Sequence, residues 1–261
     1  MRALAIMYHD VVERGEYASS GFAGEDAHIY KLSRQDFSSH LQAIAAVASG
    51  SIAVMAGRRQ WSEPPPVLLT FDDGGASACP LVADMLEQYG WKGHFFITTN
   101  RIGEAGFLDE ARIRDLDARG HVVGSHSHTH PTRMAATRPA EMDREWRVSL
   151  DRLAGIVGHP VTVASVPGGY YSRQVGQAAA SAGVEVLFTS EPTAAVTTVD
   201  GCLVLGRYAV KRGMGPEWPA GFASNQRSFC WRQTALWKAK RLAKVLGGEA
   251  YVRARKSILE R

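Results

Sequence analysis

The chain has 261 residues, 45% of them hydrophobic and 21% charged, with 26 Gly and 11 Pro, a balance that fits one large globular domain or two small ones and excludes disordered, collagen-like and small disulfide-stapled classes. No window approaches the roughly 18 apolar residues of a spanning helix, and the apolar stretch in the opening MRALAIMYHD is too short for a signal peptide, so a cytoplasmic protein is expected, with Cys79, Cys202 and Cys230 as reduced thiols. The net charge of +4 belongs to one end: residues 231–261 hold nine Lys/Arg against two Glu, leaving 21 bases and 24 acids in residues 1–230, which argues against a nucleic-acid surface spread over the protein.

Apolar runs of strand length alternate with helix-period segments from the first residues to about position 208, with no linker-like composition between them. Strands are predicted over Ala3–Tyr8, Ser51–Val54, Val67–Phe71, Phe95–Thr98, His121–Ser125, Val161–Val166, Val184–Thr189 and Leu203–Tyr208. Their Val, Ile, Leu and Phe content suits strands buried on both faces. Between them, Ser33 with Asp36 predicts the start of a helix carrying Phe37, Leu41 and Ile44. Leu81, Val82, Met85, Leu86 and Tyr89 share a helical face before Gly90, Ile113 and Leu116 precede a stop at Gly120, and Met142, Trp146, Leu150 and Leu153 precede one at Gly155. The strand–helix alternation implies a parallel sheet. At this length, seven or eight strands favour a single-domain (β/α) barrel over an open doubly wound sheet.

In such a barrel the chemistry sits at the C-terminal strand ends, and the residues following four of these runs are unusually polar. They are Tyr8-His9-Asp10, Asp72-Asp73-Gly74, His126-Ser127-His128-Thr129-His130 and Pro167-Gly168-Gly169-Tyr170-Tyr171. Two adjacent carboxylates raise each other's pKa unless a cation separates them. Asp-Asp-Gly alone is a common turn, but three histidines within five residues suit a metal better than an apolar core. His126 and His130, four apart, are expected to share a face of a helical turn, and one carboxylate of the pair then completes a three-ligand set open to water.

These residues resemble the polysaccharide deacetylases, the family four carbohydrate esterases with a NodB-like domain. Thr70-Phe71-Asp72-Asp73-Gly74 is similar to the family's first motif, and His126-Ser127-His128-Thr129-His130 to its second. The resemblance covers roughly residues 1–210 and implies a distorted barrel over residues 1–230, with Asp72 as base, Asp73, His126 and His130 as metal ligands, and Zn²⁺ as the expected metal. Two positions depart from the family pattern. Ser165 stands where the third motif usually has Arg, and the late strand Leu203 to Tyr208 lacks the usual Leu-x-His. The opening Met7-Tyr8-His9-Asp10-Val11 resembles the circularly permuted subgroup related to poly-N-acetylglucosamine deacetylases, in which the early His does the late one's work. That likeness assigns His9 as general acid. Arg207 either replaces the missing Arg beside Asp72 or is a surface ion-pair residue.

The expected function is metal-dependent removal of N-acetyl groups from an amino-sugar, free, polymeric or lipid-linked. The alternatives are a small-molecule amide hydrolase on the same fold, or a silent carbohydrate-binding or membrane-associated protein. An oxyanion donor is expected in the Gly168-Gly169-Tyr170 turn. Tyr17, Phe22 and Tyr30 are candidates for a sugar-facing lid or for loop anchors. His28, His40, His94, His121 and His159 fit no ligand spacing, and His128 is expected to support the site or face solvent. The basic tail, residues 231–261, mixes Trp231, Leu236, Trp237, Leu242, Val245 and Leu246 with Lys238, Lys240, Arg241 and Lys244. It reads as a helix that either lies on an anionic membrane or packs on the barrel.

Overall fold

The computed structural model describes residues 1–48, 52–53 and 65–239. The main strands are β1 Leu4–Tyr8, β2 Val67–Phe71, β3 His94–Ile97, β4 Val122–Ser125, β5 Val163–Ser165, β6 Val186–Phe188, β7 Val196–Val199, β8 Cys202–Leu205 and β9 Tyr208–Ala209. They form one curled sheet in the order β7-β8-β6-β5-β4-β3-β2-β1-β9, with Ile52–Ala53 as a further short strand on β2. Every pairing along this path is parallel except that of β7 with β8.

The late strand predicted as one run is two. Leu203–Leu205 pair with Val186–Phe188, and after Gly206 and Arg207 the chain pairs Tyr208 and Ala209 with Ile6 and Met7. The break falls where the Arg207 N–H leaves the ladder for the Glu191 carbonyl, at 2.9 Å. This run therefore joins the two ends of the curled sheet, and the result is a distorted (β/α) barrel. Its interior holds Ala3, Ala5, Leu68, Phe96, Val163, Phe188 and Leu205, while Leu4, Ile6, Leu69, Phe71 and Phe95 face the helices. Strands buried on both faces explain the continuous apolar runs.

The covering helices are α1 Arg34–Val47, α2 Leu81–Glu87, α3 Glu110–Ala118, α4 Pro139–Val157, α5 Arg173–Ser181 and α6 Glu217–Ala223. Ser33 caps α1 by accepting from the Asp36 N–H at 3.1 Å, and Phe37, Leu41 and Ile44 are buried as their spacing predicts. Helix α4 does not stop at Gly155. It continues to Val157, and left-handed Gly158 caps it, because a solvent-side Gly costs a helix only about 1 kcal/mol whereas the next turn buries Ile156.

Cys79 and Cys202 are buried and Cys230 half-buried, all as free thiols. Residues 227–239 are helical. The Gln233 amide donates to the Ala209 carbonyl and the Thr234 hydroxyl to that of Pro192, while Trp231 and Leu236 are exposed. The rest of the basic tail, with Lys240, Arg241, Leu242, Lys244, Val245 and Leu246, lies outside the described residues. Among the described residues no helix is long and apolar enough to cross a membrane.

Candidate active site

Asp72 and Asp73 follow β2, His126 follows β4, Ser165 ends β5 and His9 follows β1, so neighbouring strand ends deliver them to one rim. The Asp72 N–H extends the ladder to the Tyr8 carbonyl at 3.1 Å, and the His126 N–H does so to Ile97 at 2.9 Å. Beyond these bonds the chain turns sharply. Asp73, Ser127 and His130 all adopt left-handed φ, at 76°, 65° and 57°, a strain of roughly 1–3 kcal/mol each that functional sites tolerate when the surroundings enforce it. Residues 126–130 are thus a strained loop and not the helical turn that the four-residue spacing suggested.

Side chains hold that loop in place. The Ser127 hydroxyl accepts from the His130 N–H at 3.1 Å, and Glu145 of α4 accepts from the His128 N–H, the Thr129 N–H and the Thr129 hydroxyl at 2.9, 2.7 and 2.6 Å. His128 bonds the Thr99 hydroxyl at 3.0 Å through Nδ1. Glu145 carried no signal in the sequence, since it resembles any solvent-facing helix acid.

Asp73 Oδ1 lies 3.5 Å from His126 Nε2 and 3.5 Å from His130 Nε2, and the ligand atoms of the three lie within 4.8 Å of one another. Two ligand atoms bonded at about 2.05 Å with tetrahedral angles stand about 3.3 Å apart, so the spacing fits one small divalent ion. The donor chemistry fits too. His126 Nδ1 donates to the Ser165 carbonyl at 3.0 Å, which turns Nε2 toward Asp73; against the effect of burial, the facing Asp72 and Asp73 carboxylates raise the pKa of this ring, so a bound cation would take the place of the Nε2 proton. Burial works to raise the Asp73 pKa, but His126, His9 and His130 outweigh it and hold the carboxyl far below its ordinary range. Burial, then the charge of His126, pushes His130 down to about 4, so its ring is neutral and able to ligate near pH 7.

Asp72 is built differently. The guanidinium of fully buried Arg207 reaches it with two parallel bonds, Nη1 to Oδ1 at 2.6 Å and Nη2 to Oδ2 at 2.8 Å. Arg207 also donates to Ser165 Oγ at 2.7 Å, Thr70 Oγ1 at 3.2 Å and the Thr189 carbonyl at 3.0 Å, and it lies over the Phe96 and Phe188 rings. The small Ser165, which departs from the family pattern, leaves room for an arginine arriving from the other side of the barrel. Burial alone would raise the Asp72 pKa, yet Arg207 and then His126 bring it below the ordinary value. Oδ2 accepts from one donor and lies 3.9 Å from His126 Nε2, so a lone pair is left on the metal side.

His9 completes the cluster. Its ring stacks on Tyr30 at 4.6 Å, and it is among the charges acting on Asp72, Asp73 and His130. Its buried Nδ1 has no hydrogen-bond partner among the described residues. Phe22 lies 4.8 Å from the His130 ring, whereas Tyr17 packs on His28 and under Arg212, away from the site histidines. The Pro167–Gly169 turn abuts the chain just after His130, so closely that a Cβ on Gly168 would meet the Thr132 carbonyl at 2.4 Å. His28, His40, His94, His121 and His159 bond elsewhere.

Comparison with known proteins relates the chain to one family. Residues 60–187 match the family model described as polysaccharide deacetylase. The chitin deacetylase of Colletotrichum lindemuthianum is 35% identical over 114 residues, covering 38% of this chain and 46% of that protein. The chain spans about half the length of the curated relatives it matches. Among solved structures, the Streptococcus pyogenes deacetylase PplD in complex with acetate superposes with a TM-score of 0.68 at 20% identity, over 83% of this chain and 96% of that one. IcaB from Ammonifex degensii superposes with a TM-score of 0.67 at 20% identity, over 85% and 97%. At these identities the structural likeness is one of fold, and the family match covers the segment that carries Asp72, Asp73, His126, His130 and Ser165. Residues 60–187 of this chain thus match the polysaccharide deacetylase family, and the fold is that of the NodB-like barrel.

Proposed function

We propose that this chain is a metal-dependent N-deacetylase of an amino-sugar substrate. One observation carries the proposal: a buried carboxylate clamped by arginine, Asp72, stands beside an Asp73/His126/His130 set with the spacing of a metal site. The names of the relatives point to the same chemistry, and the permuted placement of the histidine agrees with the likeness to the poly-N-acetylglucosamine subgroup. Zn²⁺ suits an N/O set of this kind. When bound, it supplies an acidified water of pKa about 7 and Lewis-acid polarisation of the acyl oxygen.

The chain's own groups then divide the remaining work. Asp72 Oδ2 accepts the proton of the attacking water, and Arg207 holds the carboxylate ionised and aimed while it does so. The Gly168-Gly169-Tyr170 turn offers backbone N–H groups where negative charge develops on the acyl oxygen. His9 delivers a proton to the departing nitrogen, which converts a poor amide leaving group into a neutral amine. Phe22 and Tyr30 provide apolar faces beside the two histidines. Acetate release from N-acetylglucosamine oligomers, after chelation and after reloading with Zn²⁺, tests the whole proposal. No release by reloaded protein would overturn it.

Three variants test the assignments. His126→Ala and His130→Ala are expected to lose most bound metal after chelation and reloading, measured by elemental analysis against the wild type. Wild-type stoichiometry in both would place the metal elsewhere. His9→Ala is expected to keep its metal and lose about 10²- to 10⁴-fold in amide turnover. An activated acetate ester, whose leaving group needs little protonation, should be spared much of that loss. Equal losses on amide and ester would remove His9 from the acid role.

A further inference from the structure

A second buried polar cluster adjoins the site and takes no part in the proposed chemistry. Lys31, only 1% exposed, donates from its ammonium to three carbonyls of one loop, Tyr17 at 2.7 Å, Ser20 at 2.5 Å and Phe22 at 2.6 Å. An ammonium has three donors, and this single loop takes all of them. Asp10 is buried nearby. Its Oδ1 accepts from the Ser20 hydroxyl at 2.5 Å and the Ser77 hydroxyl at 2.8 Å. The Ser77 N–H donates to Ser20 Oγ at 2.9 Å, and the Val11 N–H to Ser77 Oγ at 3.2 Å. Gly21 and Gly75 press on the same carboxylate, so that a Cβ on either would fall 2.1 or 2.0 Å from one of its oxygens.

Three segments meet in this knot: the end of β1 directly after His9, the Tyr17–Phe22 loop, and the turn directly after Asp73. The loop itself, Glu13 to Gly24, is short of apolar residues, so packing alone gives it little reason to hold one position. Burying an ammonium and a carboxylate is also a weak source of stability, because desolvation offsets most of what their bonds contribute. What it can fix is where the loop lies. That matters because the loop carries Phe22 onto His130 and Phe107, and because Tyr30, next to Lys31, stacks on His9.

We infer that Asp10 and Lys31 are positioning residues, a latch that holds the Tyr17–Phe22 loop against the site and so places Phe22 on His130 and His9 toward Asp73. The kinetic part rests on the proposed deacetylase reaction; the placement of the loop does not. Trypsin provides a readout of placement, since Arg14 is exposed on the same loop. In Lys31→Met, nicking after Arg14 is expected to accelerate by about tenfold or more relative to cleavage elsewhere, as a locally opened loop requires. Metal content should stay at the wild-type level, because every ligand comes from another segment. Deacetylation should fall by about 10²-fold, in kcat more than in KM, since the displaced groups sit at the reacting end.

A merely structural lysine would instead lower the melting temperature and speed cleavage at all sites alike. That result, or an unchanged kcat in a nicked loop, would overturn the inference. If Lys31→Met does not fold, Gly21→Ala tests the same latch, because its methyl group would push the loop off Asp10 while Lys31 remains; an unchanged Arg14 nicking ratio there would overturn the inference equally. A wild-type protein without deacetylase activity would overturn the proposed reaction, and the nicking ratio would still decide the latch.

Discussion

Substituting Arg207 by Met is expected to destabilise the protein by about 3–5 kcal/mol, the usual cost of leaving one partner of a buried ion pair uncompensated, and to lower deacetylation by about 10²-fold or more through misplacement of Asp72. The methionine reproduces the arginine stem only as far as Nε, so the packing of the stem is kept while the guanidinium over Phe96 and Phe188 is lost. What disappears is the two-pronged contact with Asp72 and the bonds to Ser165, Thr70 and Thr189. Arg207→Lys should recover little, because a single ammonium cannot span both carboxylate oxygens.

The pH dependence separates the charge effect from lost packing. In the wild type the folded Asp72 pKa lies below its ordinary value, because Arg207 and His126 outweigh burial. Its contribution to stability is therefore present above the unfolded value of about 3.9 and is lost as the pH falls through the folded value. In Arg207→Met burial is opposed only by the charges of His126 and His9, and the pKa rises. The folded variant then takes up a proton more readily than the wild type, which relieves its buried charge. The stability gap between the two proteins is expected to be widest near pH 7 and to narrow on acidification toward pH 4. Chemical denaturation at both pH values measures it, and a constant gap would attribute the loss to packing alone.

The barrel was legible in the sequence because strands buried on both faces leave continuous apolar runs, and because the polar residues that follow those runs fall on one rim. Asp72, Asp73, His126 and His130 are brought together from separate strand ends as that pattern required. Arg207 was only an alternative in the sequence. No local pattern marks it, since it meets Asp72 from 135 positions away and shares Ser165 with it as a hydrogen-bond partner. Glu145 and Lys31 were missed for related reasons. Each works by collecting backbone donors or acceptors from a distant loop, and a single sequence carries no trace of which carbonyls a lysine will find. The strained conformation of residues 127–130 was read as a helical turn because spacing alone does not distinguish the two.

Asp72→Asn should retain metal and lose about 10²- to 10⁴-fold in turnover, whereas Asp73→Asn should lose the metal itself. The two side chains are adjacent in sequence, both buried and both near His126, yet their closest partners differ. Asp73 faces the two histidine nitrogens, and Asp72 faces the guanidinium of Arg207. An asparagine at position 72 still accepts one bond from Arg207 through its oxygen, but its NH₂ group confronts the second guanidinium nitrogen with another donor. Some stability must therefore be lost along with the base, and turnover has to be compared well below the melting temperature of the variant. An asparagine at position 73 offers a neutral amide oxygen in place of the anionic ligand, while His126 and His130 remain correctly spaced. Its turnover should recover in part at high added Zn²⁺, a recovery not expected of Asp72→Asn, which lacks the carboxylate proposed to take the proton. Elemental analysis after chelation and reloading, followed by acetate release over a range of Zn²⁺ concentrations, distinguishes the two residues. Metal loss from Asp72→Asn, or full activity in it with metal bound, would mean that the division of labour between the two aspartates is other than the one their contacts imply.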